Sequence, residues 1–336
     1  MKNLSLKTLV FAVATMAVLG ICHAQEIQER TIKFGHLNNV GHPTSLGTQR
    51  FAELVATKSA GKLKVQEYPG SVLGSDMQQQ SALQGGVQEM VAPSTTSLAG
   101  IVKEFGLVDF PFSVASFTQA DALLDGPFGK ALLAKLSEKG LVGLGFWDLG
   151  FRNVTNSKRP IVKAEDLEGL KLRVIPNPVF VQTFQALKAN PVPLAFSELY
   201  GALESKAVDG QENPYAVILS NKLFEVQKYV SATNHVYAAL IVLVSKKFWD
   251  KLSATEQKIL TDAALEAQLY QRQASRMAAQ NAVTELQSKG MQFNELSKAE
   301  QTRMVQIAKP ITDRLASAYD PVIVKLYNDE LARLRK

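Results

Sequence analysis

A chain of 336 residues, 46% hydrophobic and 20% charged, is long enough for two domains and apolar enough to bury a core in each. Its formal charge of +6 is spread without a Lys/Arg cluster, which argues against a nucleic-acid-binding face. A single cysteine excludes an internal disulfide framework and a cysteine-rich metal site.

Residues 1–24 read as an export signal. Lys2 and Lys7 give a positive start, residues 9–21 are apolar, and Cys22-His23-Ala24 fits the small-x-small pattern of a signal-peptidase site. The apolar run falls short of the ~20 residues that a bilayer span requires. A lipoprotein signal at Cys22 is disfavoured because Ile21 is large where that signal wants a small residue. Cleavage is expected after Ala24, which places the mature chain in the periplasm and removes its cysteine.

Beyond the leader the chain alternates strand and helix. Residues 31–37 place Ile32, Phe34 and His36 on one face of a predicted strand. Pro43 suits the first turn of a helix in which Phe51, Leu54, Val55 and Lys58 recur at helical spacing, and Gly61 ends it. Residues 62–68 alternate again, so the unit is βαβ and implies a parallel sheet. After a turn at Gly70 and Gly74, a Gln-rich helix is predicted over 76–84 and a strand over 87–92. A helix follows over 118–139, then a strand over 141–147. Further strands are predicted at 170–175 and 236–244, with helices near 180–187 and 197–205. The capping box Ser253-Ala-Thr-Glu256 opens a helix running to about Ser288, before Gly290. About 35 residues at 1.5 Å each span roughly 50 Å, more than one small domain is wide. Such a helix crosses two α/β lobes or bends. Ser297-Lys-Ala-Glu300 opens another helix.

Enzyme motifs are not evident. The histidines of the mature chain, His36, His42 and His235, have no metal-site spacing. His36 alternates with core residues and reads as a buried or cleft-facing side chain; His42 shapes the helix start at Pro43. The glycines of Gly140-Leu-Val-Gly143-Leu-Gly145 lie within a predicted strand and at the wrong spacing for a nucleotide loop. There is no GxSxG elbow and no Walker lysine. Nothing calls for a cofactor, a metal or covalent catalysis.

The informative stretch begins at Gly150-Phe-Arg152-Asn-Val-Thr155-Asn156 and continues through Gly169-Leu-Lys-Leu-Arg173-Val and Ala195-Phe196-Ser197-Glu198-Leu-Tyr200. It ends at Asp209-Gly-Gln-Glu212-Asn213-Pro214. With Tyr68-Pro-Gly-Ser-Val-Leu-Gly74 and Thr233-Asn-His235, these ordered blocks resemble the DctP-type solute-binding proteins of tripartite ATP-independent periplasmic (TRAP) transporters, over about residues 32–300. The resemblance implies a two-lobed, type II-like periplasmic binding protein of α/β class, with a long helix lying across both lobes. It implies capture of a small organic acid, delivery to a small-plus-large pair of membrane permease subunits, and no enzymatic turnover. The expected lobes are 25–149 with 239–278, and 150–238 with 279–336, in a monomer.

By the same resemblance Arg173 binds the ligand carboxylate, Arg152 and Asn213 share the cleft, Phe196 lines the pocket and Asp76 lies near its mouth. Arginine suits this role because it stays charged and offers two parallel donors to a carboxylate. On strand alternation alone, Arg173 points away from its neighbours Leu172 and Val174. Trp147 ends an apolar strand and is a candidate for stacking on a ring if it faces the cleft. Ser94 and Ser97 stand where sialic-acid-binding relatives carry charges, which makes sialic acid an unsuitable ligand and leaves dicarboxylates, uronates and aromatic acids open. Two other classes stay open at this point: a ligand-presenting subunit for a membrane sensor kinase, and a periplasmic hydrolase or isomerase.

Overall fold

The structure, a computed structural model, describes residues 27–334. The export signal and its cleavage site lie outside the described residues. Among the described residues nine strands form a single sheet: β1 (Arg30–Gly35), β2 (Leu63–Tyr68), β3 (Met90–Val91), β4 (Leu141–Asn156), β5 (Lys171–Val174), β6 (Asn190–Pro193), β7 (Gly210–Pro214), β8 (Tyr229–Ser245) and β9 (Gln292–Glu295). Their order is β2-β1-β3-β8-β4-β7-β5-β6, with β9 alongside β8. The helices are α1 (Pro43–Lys58), α2 (Asp76–Gly85), α3 (Phe117–Asp125), α4 (Pro127–Leu136), α5 (Pro178–Ala186) and α6 (Leu199–Glu204). They continue as α7 (Tyr215–Ser220), α8 (Lys246–Trp249), α9 (Ala254–Ser288), α10 (Lys298–Ala316) and α11 (Pro321–Leu334).

The expected βαβ start is present: β1 and β2 are parallel across α1, and β3 runs parallel to β1. A second parallel trio, β6-β5-β7, sits at the other end. The two trios mark two lobes. Between them run β4 and β8, long antiparallel strands of 16 and 17 residues that belong to both. β8 explains the apolar run at 236–244. Tyr237, Ala239, Ile241 and Leu243 pack into one core, and Ala238, Leu240, Val242 and Val244 into another on the opposite face. Burial on both faces removes the usual apolar–polar alternation. The β4–β8 register shifts at Gly143/Gly145, Asp148/Gly150 and Arg152/Val154, and such bulges bend a strand pair and sharpen its twist.

Helix α9 spans 35 residues from the expected capping box, in which Ser253 Oγ accepts the Glu256 N–H and Glu256 accepts the Ser253 N–H. Ile259, Leu260, Ala263, Ala264 and Ala267 join the core beneath α1, whereas Leu286 joins a core of the second lobe. Gly47 of α1 permits this close packing, since a Cβ there would stand 2.6 Å from Gln271 Cγ. Among the described residues no helix is long and apolar enough to cross a membrane.

Several sequence expectations need correction. The helix expected over 118–139 is two, α3 and α4, because Pro127 at the first position of α4 has no N–H with which to continue α3. The strand at 87–92 shrinks to Met90–Val91, and the strand at 141–147 continues nine residues further to Asn156. Strands β6, β7 and β9 and helix α7 were not foreseen. At the C-terminus, Ile323, Tyr327 and Leu331 of α11 pack into the core of α3 and α4 in the first lobe, whereas Met304 of α10 packs in the second.

Candidate functional site

A cavity of about 80 Å³ lies where the two parallel trios end. Its walls include Asn38 beyond β1, Asp76 at the start of α2, Ser94 beyond β3, Arg173 and Ile175 at the end of β5, and Asn213 on β7. Crevices outside the carboxyl ends of parallel strands are where open α/β sheets bind ligands. Arg152, Leu149 and Leu240 come from the shared strands β4 and β8, so the cavity is bounded by both lobes and the strands that join them.

Arg173 is 1% exposed. Its Nε and Nη2 both donate to the Leu194 carbonyl, at 2.9 and 2.7 Å, which fixes the guanidinium plane. Nη1 is buried without a partner. Burial lowers its pKa to about 10, with Arg152 adding to the fall and Glu212 and Asp76 opposing it, so the group remains cationic at neutral pH.

Arg152 is fully buried and differently held. Its Nε and Nη2 grip the Glu212 carboxylate from neighbouring β7, with Nη2 2.8 Å from Oε1 and 2.6 Å from the Glu212 carbonyl. The Phe180 ring lies 5.4 Å from its guanidinium carbon. His235 Nε2 completes the carboxylate's shell at 3.1 Å. Burial alone would raise the Glu212 pKa, but Arg152 and His235 outweigh it and hold the carboxylate ionised. Burial lowers the His235 pKa. Arg152 Nη1 is buried and unpartnered, like its counterpart on Arg173.

Asp76 is part exposed as a residue, but its carboxyl Oδ1 is shielded from solvent and unpartnered. Burial pushes its pKa up to about 7, against the pull of the Ser94 N–H, the Arg173 charge and the Ser97 hydroxyl. Ser94 Oγ is also buried without a partner. Four such orphaned polar atoms, on Asp76, Ser94, Arg152 and Arg173, thus belong to residues lining one cavity. Unpaired buried polar groups are costly, so their convergence marks a place built to hydrogen-bond something else. Asn213 donates to Gln211 Oε1 at 2.5 Å, and Phe196 adds an aromatic wall.

Two expected site residues lie elsewhere. Trp147 is fully buried, on the strand face that packs beneath α1 and α9, 6.0 Å from the Phe34 ring. His36 is buried and bonded through Nε2 to Glu67 at 2.9 Å. Neither lines the cavity. Conversely, sequence reasoning gave no role to Asn38 or Glu212. Asn38 was findable from its place just past the first parallel strand. Among the described residues no group of three or more His, Cys, Asp or Glu side chains is arranged to hold a metal ion.

A two-lobed sheet with a partly open, arginine-bearing cavity at the ends of both parallel trios defines a periplasmic-type solute-binding protein. The family model for bacterial extracellular solute-binding protein, family 7 (DctP), matches residues 34–318, and the chain belongs to that family. Among solved structures, the sugar acid binding protein DctPAm of Advenella mimigardefordensis, in complex with galactonate, is 40% identical with a TM-score of 0.90. The match covers 91% of this chain and 99% of that one. A TRAP periplasmic solute-binding protein of Ochrobactrum anthropi, with its C-terminus bound in the ligand-binding pocket, is 47% identical with a TM-score of 0.83, covering 92% and 97%. The 2,3-diketo-L-gulonate-binding periplasmic protein YiaO of Escherichia coli is 35% identical over 76% of this chain and 78% of its own. The chain is accordingly a solute receptor of the TRAP type, from a family of periplasmic receptors.

Proposed function

We propose that the protein captures one small organic-acid anion in this cavity and hands it to the membrane subunits of a TRAP permease. One observation carries the reading: Arg173, a cavity-lining cation locked in orientation by the Leu194 carbonyl, keeps a buried Nη1 without a partner. A carboxylate entering the cavity loses hydration, and a pre-oriented guanidinium offsets that loss with a charge-assisted hydrogen bond. Arg152 Nη1, Asn213 and Ser94 add polar contacts, and Phe196 packs on the carbon skeleton. No catalytic group or cofactor enters this reading.

We take the lobes to be 25–149 with 239–278, and 150–238 with 279–336; the packing of Ile323, Tyr327 and Leu331 with α3 and α4 supports grouping 321–334 with the first instead. The bulged β4–β8 pair is the hinge between them, and closure is favoured to the extent that the ligand binds the closed form better. The mature protein is a periplasmic monomer released by cleavage after Ala24.

Isothermal titration of the mature protein with dicarboxylates, aldonates, uronates and keto acids tests the reading. At least one is expected to bind and to be recovered unchanged. Arg173→Ala is expected to abolish that binding while keeping a cooperative melt. Wild-type affinity in Arg173→Ala, or binding confined to neutral sugars or amines, refutes it.

A further inference from the structure

Charge balance around the cavity narrows the ligand further. The charged side chains among its lining residues are Arg152, Arg173 and Asp76. Arg152 is already neutralised by Glu212, which grips two of its nitrogens. Arg173 has no such ion-pair partner: a neutral carbonyl orients it, and Glu212 and Asp76 act on its charge without bonding it. One cation is therefore available, enough for one carboxylate. Asp76 comes from the opposite lobe, on α2, and its orphaned Oδ1 is not bonded to Arg173 Nη1, which is orphaned too. The cavity thus presents a positive donor from one lobe and an acidic acceptor from the other.

Resting on the organic-acid reading above, we propose that Asp76 sets the substrate class: the cavity takes a polyhydroxylated monocarboxylate and rejects dicarboxylates. The carboxylate lies on Arg173, and a ligand hydroxyl donates to Asp76 Oδ1. A second hydroxyl meets Ser94 Oγ, which both donates and accepts. The second carboxylate of a dicarboxylate would find no unpaired cation and would meet a like charge in a shielded cleft, an arrangement that costs about tenfold or more in affinity. Specificity then comes from a repulsive element as well as an attractive one. Asn38, also on the wall, is held by its side-chain donation to Thr44 Oγ1 at 3.2 Å, so its orientation is set before ligand arrives.

The test is titration calorimetry at pH 8, where Asp76 is ionised, using sodium salts of four- and six-carbon aldonates against succinate. Wild-type protein is expected to bind an aldonate at least about tenfold more tightly than succinate. Asp76→Asn keeps an acceptor and removes the charge, so it should raise succinate affinity about tenfold. Asp76→Ala should weaken aldonate binding by about tenfold or more. A wild-type protein that prefers succinate overturns the inference while leaving organic-acid capture intact, as does an Asp76→Asn variant with an unchanged ratio of affinities. Failure of every carboxylate to bind wild-type protein overturns both.

Discussion

Arg152 and Arg173 present the same group to the same cavity, yet their environments give them different work. Arg152 is one half of a buried ion pair whose other half, Glu212, also accepts from His235. Removing one member of such a pair strands the other's charge, a loss of about 3–5 kcal/mol. Glu212→Gln keeps the shape and leaves Arg152 uncompensated, so the ligand-free protein is expected to lose about 3 kcal/mol in urea unfolding. A loss below about 1 kcal/mol would show that the pair is not what holds Arg152. Ionisation also leaves a signature in stability. Burial raises Asp76 and Asp109 to about 7, and these groups hold protons in the folded state that the unfolded chain releases near pH 4. Each thus makes stability fall as pH rises from about 4 to about 7. His42, lowered to about 3 by burial and by His36, and His235, also lowered by burial, act oppositely below about 6.5. The opposing pairs offset each other below about pH 6.5, which leaves a window from there to about 7.5. The ligand-free melting temperature is expected to drop by about 2–4 °C across that window, and less in Asp109→Asn. A melting temperature that rises across it contradicts this assignment. Arg173 was legible in the sequence only through family resemblance; Glu212, inside Gly-Gln-Glu-Asn-Pro, was given no role, because nothing local reveals that Arg152 reaches its carboxylate from the neighbouring strand.

The elements that were legible share one property: their burial is apolar and periodic. β1, α1, β2 and the capped start of α9 announce themselves by Ile32, Phe34, Phe51, Val55 and the Ser253–Glu256 box. β7 does not, because its five residues are all buried and mostly polar, with Gln211 donating to Thr155 Oγ1 at 2.9 Å. The second half of β4 fails for the same reason: Arg152, Asn153, Thr155 and Asn156 are buried by pairing rather than by hydrophobicity. The break at Gly126-Pro127 was there to be read, since proline opens helices and does not extend them. The contact of α1 with α9 offers a test at this scale. Alanine at Gly47 gains up to about 1 kcal/mol of helix propensity. Its Cβ, however, would lie 2.6 and 2.8 Å from Gln271 Cγ and Cβ, close to the backbone of α9. Gln271 cannot swing aside without breaking its bonds to the Asp148 N–H and carbonyl, at 2.8 and 2.7 Å. Overpacking of about 1–3 kcal/mol should win, so Gly47→Ala is expected to lower the urea midpoint with the slope unchanged. A higher midpoint would mean that the two helices part easily.

At the scale of the whole molecule, a protein with two lobes and four apolar clusters invites the expectation of two unfolding transitions. The connections argue otherwise. β4 and β8 supply residues to both lobes and pair with each other almost throughout, so neither lobe can lose its sheet without exposing strand in the other. α9 adds a third continuous tie, buried under α1 at one end and in the second lobe at the other. Midway, Arg276 bonds Asp148 and Asp121, at 2.7 and 2.6 Å, and Arg272 bonds Asp125, at 2.6 Å. Asp148, fully buried on β4, also receives the Tyr237 hydroxyl of β8. Helix and both long strands therefore meet at one polar node, and an unfolding lobe would strand its buried charges. The protein is thus expected to melt in one calorimetric transition, with van't Hoff and calorimetric enthalpies equal within error. A saturating organic acid at 100 times Kd should move that single transition upward, by about 2.7 kcal/mol of added stability, without splitting it. Arg276→Met should lower the transition and keep it single, because β4 and β8 remain continuous. Two resolved peaks in the wild-type protein would show that the lobes are joined by the chain but not by the energetics.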